Sequence, residues 1–140
     1  MLSSIFALAF LACGIFIIYR YSFFMIKGYQ SYNWSKTTGR IIQSKKQKNA
    51  DPEAGGYEYS INYSFVINDK TYKSDRIFYG TFDFDLIDYQ KRYYINQEVN
   101  VYYNPLKPEE SVLENGIVHN MHFLLVISIV FVSIGLIIIL

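Results

Sequence analysis

YEYSINYSFVINDKTYKSDRIFYG, residues 57–80, decides how the middle of this chain folds. Tyr57, Tyr59, Ile61, Tyr63, Phe65 and Ile67 fall on one side, and Glu58, Ser60, Asn62 and Ser64 on the other. That period of two is the mark of a strand with one face in a core. Asn68-Asp69 supplies a tight turn, and Thr71 to Tyr79 returns as a second strand, so the stretch reads as an antiparallel hairpin.

Working outward, Thr38 to Lys46 reads as an earlier strand, followed by the polar loop KNADPEAGG at residues 48–56. Glu98 to Tyr103 reads as a short strand, stopped by Asn104-Pro105-Leu106-Lys107-Pro108 because proline supplies no ladder donor. Ser111 to Leu113 adds a short edge strand. Residues 83–94 read as a helix, with Leu86, Ile87, Gln90, Tyr93 and Tyr94 on one stripe. Asp83 caps it, Asp85 suits the positive end of its dipole, and Asp88 lies largely off the apolar stripe. The expectation is an antiparallel β domain of four to six strands with one short helix, over residues 37–118. That size is marginal for an independent core, and the tyrosines help fill it.

Both ends are apolar. Residues 1–19 (MLSSIFALAFLACGIFIIY) and 123–140 (FLLVISIVFVSIGLIIIL) carry no charged side chain. Each is long enough to cross a bilayer as a helix. The expected layout is a transmembrane helix with an interfacial extension at 1–26, an aromatic and basic juxtamembrane linker at 27–36, the β domain, and a second transmembrane helix at 119–140. A secretory signal is the rival reading of the first run, but no Lys or Arg precedes it. Cys13 reads as a small apolar helix residue. Ser3 with Ala7, and Ala9 with Cys13, have small-xxx-small spacing, a weak signal for close helix contact.

The chain has 140 residues and only 18% charged side chains, but the charge is split. Arg20, Lys27, Lys36, Arg40, Lys45, Lys46 and Lys48 precede any acid, whereas residues 51–114 hold all 12 acids and the remaining six cations. Lys and Arg beside a span favour the cytoplasmic side. The expected topology therefore has the middle domain cytoplasmic and both termini outside. Arg20, Lys27, Trp34 and Lys36 are expected at the membrane interface, in contact with the lipid bilayer.

The order of these features resembles a known family. An apolar span precedes Trp34-x-x-Thr37-Thr38-Gly39-Arg40-Ile41-Ile42; the Tyr-rich hairpin and a short helix come next; EVNVYYNPLKPEESVLENG at 98–116 precedes the second span. This resembles the domain-of-unknown-function 3592 family of small bacterial membrane proteins, with Val-Tyr-Tyr-Asn-Pro and Pro-x-x-Ser-x-Leu the most specific parts. The resemblance implies a membrane-anchored β domain between two helices, placed in the bacterial inner membrane, and brings no activity and no catalytic residues.

No catalytic constellation stands out. The sole cysteine lies in a span, and no nucleophile elbow, phosphate loop or dinucleotide glycine run occurs. His119 and His122 are spaced i, i+3 without a neighbouring acid or thiol, and read as polar residues at the mouth of the second span. The acid excess after residue 50 argues against a nucleic-acid partner. No cofactor and no metal is expected. The expected function is a non-enzymatic, membrane-anchored protein-binding module, with an immunity protein against a secreted bacterial toxin as its concrete version. Its partner surface is placed at Asp51, Glu53, Asp69 and Asp75. The alternative is an accessory or regulatory subunit of an envelope complex acting through its transmembrane helices. Self-association through the spans is left open.

Overall fold

A computed structural model of the chain describes residues 2–48, 57–80, 86–117 and 121–139. Two apolar helices flank a five-stranded antiparallel sheet with one short helix. The elements are α1 (Leu2–Ser31), β1 (Ser35–Lys48), β2 (Tyr57–Ile67), β3 (Lys70–Ser74), α2 (Leu86–Arg92), β4 (Glu98–Asn104), β5 (Lys107–Val112) and α3 (His122–Ile139).

The strand order is β3-β2-β1-β4-β5. β1 serves two ladders: Ser35–Arg40 pair with β4 and Gly39–Lys48 pair with β2. A bulge between Ile41 and Gln43 makes the change of direction. It turns Ile41 into the core, fully buried, and leaves Ile42 exposed. The sheet curls until its edge strands β3 and β5 lie side by side. The result is a partly open barrel, with α2 between its third and fourth strands, in the manner of OB-type barrels.

The core follows the alternation in β2. Ile61, Tyr63 and Phe65 are buried with Ile41, Ile77, Phe78, Val99 and Val101. Phe65 lies against Tyr72 and Tyr103, at ring separations of 5.6 and 6.1 Å. The Tyr63 hydroxyl reaches across the barrel seam, donating to the Arg76 carbonyl at 3.0 Å and pairing with Ser111 Oγ at 3.1 Å. Burial pushes this phenol up to about 12, against the hydrogen bond from Ser111.

Several boundaries differ from the sequence reading, each for a local reason. The turn at Asn68-Asp69 is as expected, with φ of 48° and 61°, the paired positive values of a type I′ hairpin turn. The return strand ends at Ser74 rather than Tyr79, because Ser74 Oγ accepts from the Arg76 amide and turns the chain inward. β5 starts at Lys107, inside the stretch read as a stop: Pro108 is tolerated because this strand lies at an edge and its pairing is interrupted there. α2 ends at Arg92, short of Tyr94, where Gln97 Oε1 takes the Tyr94 amide and Asn96 turns left-handed. Asp83 and Asp85 lie outside the described residues, as does the Asp88 side chain.

α1 and α3 are long and apolar enough to cross a membrane by length and composition. They pack as an antiparallel pair: Phe10 meets Phe131, and Tyr21 meets His122. The contact follows a heptad spacing, and the Ser3 side chain lies outside the described residues. Ala7 and Gly14 are buried in α1 against Ser128 and Gly135 in α3, seven residues apart on each helix. A seven-residue repeat keeps the seam facing its partner, and small residues let the backbones approach. A Cβ on Gly14 would stand 3.2 Å from the Ser128 carbonyl oxygen, and one on Gly135 3.1 Å from that of Ala7. Ala9 and Cys13 instead face outward.

α1 outruns its partner. α3 begins opposite Tyr21, so Ser22 to Ser31 continue alone as a helical stalk about 15 Å long. The segment 27–36, read as a linker, is therefore divided: its first five residues are stalk and its last two are β1. Only residues 32–34 connect them.

Candidate functional site

Two features distinguish the surface: the joint between stalk and barrel, and an arm of the sheet.

The joint is built around Gly28 and Gly116. Gly116 sits at φ +107°, a conformation open to glycine, beneath the Tyr32 ring. Gly28 lies so close that a Cβ would stand 2.8 Å from the Gly116 carbonyl oxygen. Buried Ser31 bolts the two together, donating to the Gly28 carbonyl (2.6 Å) and accepting from the Gly116 amide (2.8 Å). Met121 packs over Gly80 and fixes the entry to α3.

One turn lower on the stalk, Lys27 Nζ contacts Glu110 at 2.6 Å, both side chains mostly buried. Asn104 donates to the same carboxylate at 3.2 Å, and Lys107 approaches it at 3.4 Å. Burial alone would raise the Glu110 carboxyl. The hydrogen bonds from Lys27 and Asn104, with the Lys27 charge, outweigh it and hold the group below the usual carboxylate value. A depressed carboxyl contributes stability above its unfolded pKa, and that contribution is lost as pH falls through the lower folded value. Acid titration of the full chain in detergent, followed by tyrosine fluorescence, is expected to show a transition below the usual carboxylate range that Glu110→Gln removes.

Beside this joint runs a groove of about 600 Å³ between stalk and barrel. Arg20 and Arg76 line it with Phe23, Phe24 and Tyr79. A second cluster ties α2 to the chain after β5: Tyr93 donates to Glu114 Oε1 at 2.9 Å, and Arg92 reaches the same oxygen at 3.2 Å. Burial and then the Glu114 charge raise the Tyr93 phenol. Both polar partners are used in holding the helix.

The arm arises because β1 and β2 outlast their outer neighbours. β4 pairs with β1 only as far as Arg40, and β3 pairs with β2 only from Tyr63 on. Residues 43–48 and 57–62 thus form a two-stranded ribbon, without a third strand on either side among the described residues.

The residues singled out from the sequence are dispersed. Asp69 is exposed at the β2–β3 turn, and Asp75 is exposed at the other end of β3, about 20 Å away along the strand. Asp51 and Glu53 lie outside the described residues, between β1 and β2 in the sequence. Arg20 is exposed and stacks over the Phe24 ring at 4.6 Å. Lys36 is exposed on β1 opposite Tyr102. Trp34 packs edge-on against Tyr79 at 5.8 Å, part of the joint. His122 opens α3 and its Nδ1 lies 3.3 Å from the Tyr21 hydroxyl; His119 is outside the described residues. Among the described residues, no group of three His, Cys, Asp or Glu is placed to hold a metal. Sequence reasoning missed Gly28, Ser31, Glu110 and Gly116. The heptad 7-14-21-28 pointed to Gly28, and Asn115-Gly116 is a turn dipeptide that marked a bend but not its partner; nothing local marked Ser31 or Glu110.

An apolar helical hairpin bearing a small barrel on a helical stalk is the class that this geometry defines. The chain belongs to the family described as Domain of unknown function (DUF3592), which matches residues 37–118. No curated protein and no solved structure matches it.

Proposed function

We propose that this chain is an integral protein of the bacterial inner membrane that holds a protein-binding barrel at the cytoplasmic face. α1 and α3 cross the bilayer, both termini lie outside, and the cations from Arg20 to Lys48 fall on the cytoplasmic side. The barrel recruits a protein partner and carries out no chemistry of its own. The observation that carries this reading is the arm. Its two strands leave backbone donors and acceptors along both margins, the arrangement through which an extended partner segment adds to a sheet. The locked joint supports it too, since a rigid mount lowers the ordering cost of binding. An immunity protein against a secreted toxin is the concrete version.

The test is survival. Cells that make a toxin encoded beside this gene are expected to die when the gene is deleted and to recover with the intact chain. Ser44→Pro, which removes a backbone donor from an outer margin of the arm, should abolish recovery at unchanged protein level. Recovery that persists with the proline variant but vanishes when both spans are exchanged for unrelated ones would overturn this reading. The helices themselves would then be the working part.

A further inference from the structure

The groove between stalk and barrel contains a continuous aromatic shelf. Phe24 lies 5.8 Å from Phe23, and Phe23 lies 6.3 Å from Tyr79, both edge-on. A guanidinium stacks on each end of this row: Arg20 over Phe24 at 4.6 Å, and Arg76 over Tyr79 at 4.7 Å. Arg76 Nη1 also donates to the Tyr79 hydroxyl at 3.3 Å. Neither arginine has a carboxylate within ion-pair distance among the described residues. The groove's own acids do not take up that role. Glu110 is engaged by Lys27 and Lys107, while Asp75 and Glu109 are exposed. A guanidinium stacked by its face keeps its edge N–H groups free, and those edges match phosphate oxygens in a bidentate fork.

The groove lies at a particular height. Arg20 precedes by one residue the point where α3 begins opposite α1, so the groove opens where the apolar helix pair ends. That is where headgroup phosphates lie beside a two-helix span, and where aromatic rings are favoured.

We propose that this groove is a binding site for the headgroup of an anionic phospholipid, with Arg20 at one end of the shelf gripping the phosphate, Arg76 at the other end reaching the hydroxyls of the polar headgroup beyond it, and the Phe23–Phe24–Tyr79 shelf covering the carbons between. The proposal rests on the membrane reading above and adds a ligand to it. The lipid would bridge α1 to the segment after β3, so that the barrel is held against the bilayer surface at a second point besides the Gly28–Gly116 contact.

The experiment uses the full chain, reconstituted in vesicles of phosphatidylcholine alone or mixed equally with phosphatidylglycerol. Lipids retained by the protein are then counted by native mass spectrometry. One phosphatidylglycerol per chain is expected, preferred over phosphatidylcholine by roughly tenfold: both carry the phosphate, but the glycerol hydroxyls accept a charge-assisted hydrogen bond from Arg76, whereas the choline trimethylammonium accepts none and is repelled. R20Q with R76Q should bring the preference close to unity. If R76Q does not fold, R20Q alone, at an exposed position, should still cut the preference about threefold. Equal retention of the two lipids, or a preference unchanged by R20Q, would overturn the assignment. So would occupancy of the groove by millimolar inorganic phosphate to the exclusion of phosphatidylglycerol, which would mark a site for the free anion. Resistance to alkaline carbonate extraction from pure phosphatidylcholine vesicles reports on the membrane reading separately: its loss overturns both, whereas its retention without lipid preference overturns only the headgroup site.

Discussion

Gly28→Val is expected to part the stalk from the barrel while leaving the barrel's strands intact. The obstacle is backbone: a Cβ at this position stands 2.8 Å from the Gly116 carbonyl oxygen, and the Gly116 turn is fixed by its positive φ. Neither side can yield without breaking the Ser31–Gly116 hydrogen bond of 2.8 Å. Overpacking costs about 1–3 kcal/mol, and a buried amide left without its acceptor about as much again. The joint should therefore lose roughly 2–6 kcal/mol, the combined range of those two mechanisms. Hydrogen exchange is the measurement. The Gly116 amide should lose nearly all protection, while amides in the β1–β2 ladder keep theirs. Retained protection at Gly116 would show that the helix is not what holds that loop.

The second large effect is at Tyr63. Its fully buried ring joins Phe65 in the core, and its hydroxyl closes the seam between β3 and β5 through Arg76 and Ser111. Tyr63→Ala removes ring and hydroxyl together and should destabilise the barrel by about 3–5 kcal/mol. Tyr63→Phe keeps the ring and strands two buried polar groups, at a cost of about 1–3 kcal/mol. The pH dependence separates the two contributions. Up to the ordinary tyrosine pKa of 10.0 the phenol is protonated in both states and its stabilisation is complete. Between that value and about 12, the unfolded chain ionises while the folded one does not, so stability falls as pH rises. Thermal melts of the full chain in detergent should show a steeper alkaline loss in the parent than in Tyr63→Phe, where only the other buried phenols, Tyr79 and Tyr93, still contribute. Equal slopes in both would refute the role given to the hydroxyl.

How far the sequence could be read depended on the range of each interaction. The β2 alternation and the Asn68-Asp69 turn are local, and both stand in the structure as read. So do the two apolar helices and the single short helix between strands. What could not be read required residues far apart in the chain. The bulge at Ile41–Gln43, which lets β1 serve two ladders, leaves no composition signal. Ser31 and Gly116 are 85 positions apart and look unremarkable in isolation. Lys27 was legible only as a cation of the membrane interface; its ion pair was not, because Glu110 arrives from 83 residues away. The Trp34–Tyr79 contact was hidden for the same reason, since 45 residues separate the two rings. The heptad was present in the sequence all along, at Ala7, Gly14, Tyr21 and Gly28, but a four-residue spacing of small residues conceals a seven-residue one.

That α1 is one unbroken helix from Leu2 to Ser31 also makes its length a matter of phase. Each residue adds about 1.5 Å of height and 100° of rotation. One extra residue between Tyr21 and Gly28 would lift the barrel barely at all but turn its mounting face a quarter of the way round or more, away from the bolt at Gly116. Seven extra residues would raise it by about 10 Å and return nearly the same face. Relatives that share this joint should thus differ in stalk length by whole heptads, as a threaded post admits a fitting only at certain angles.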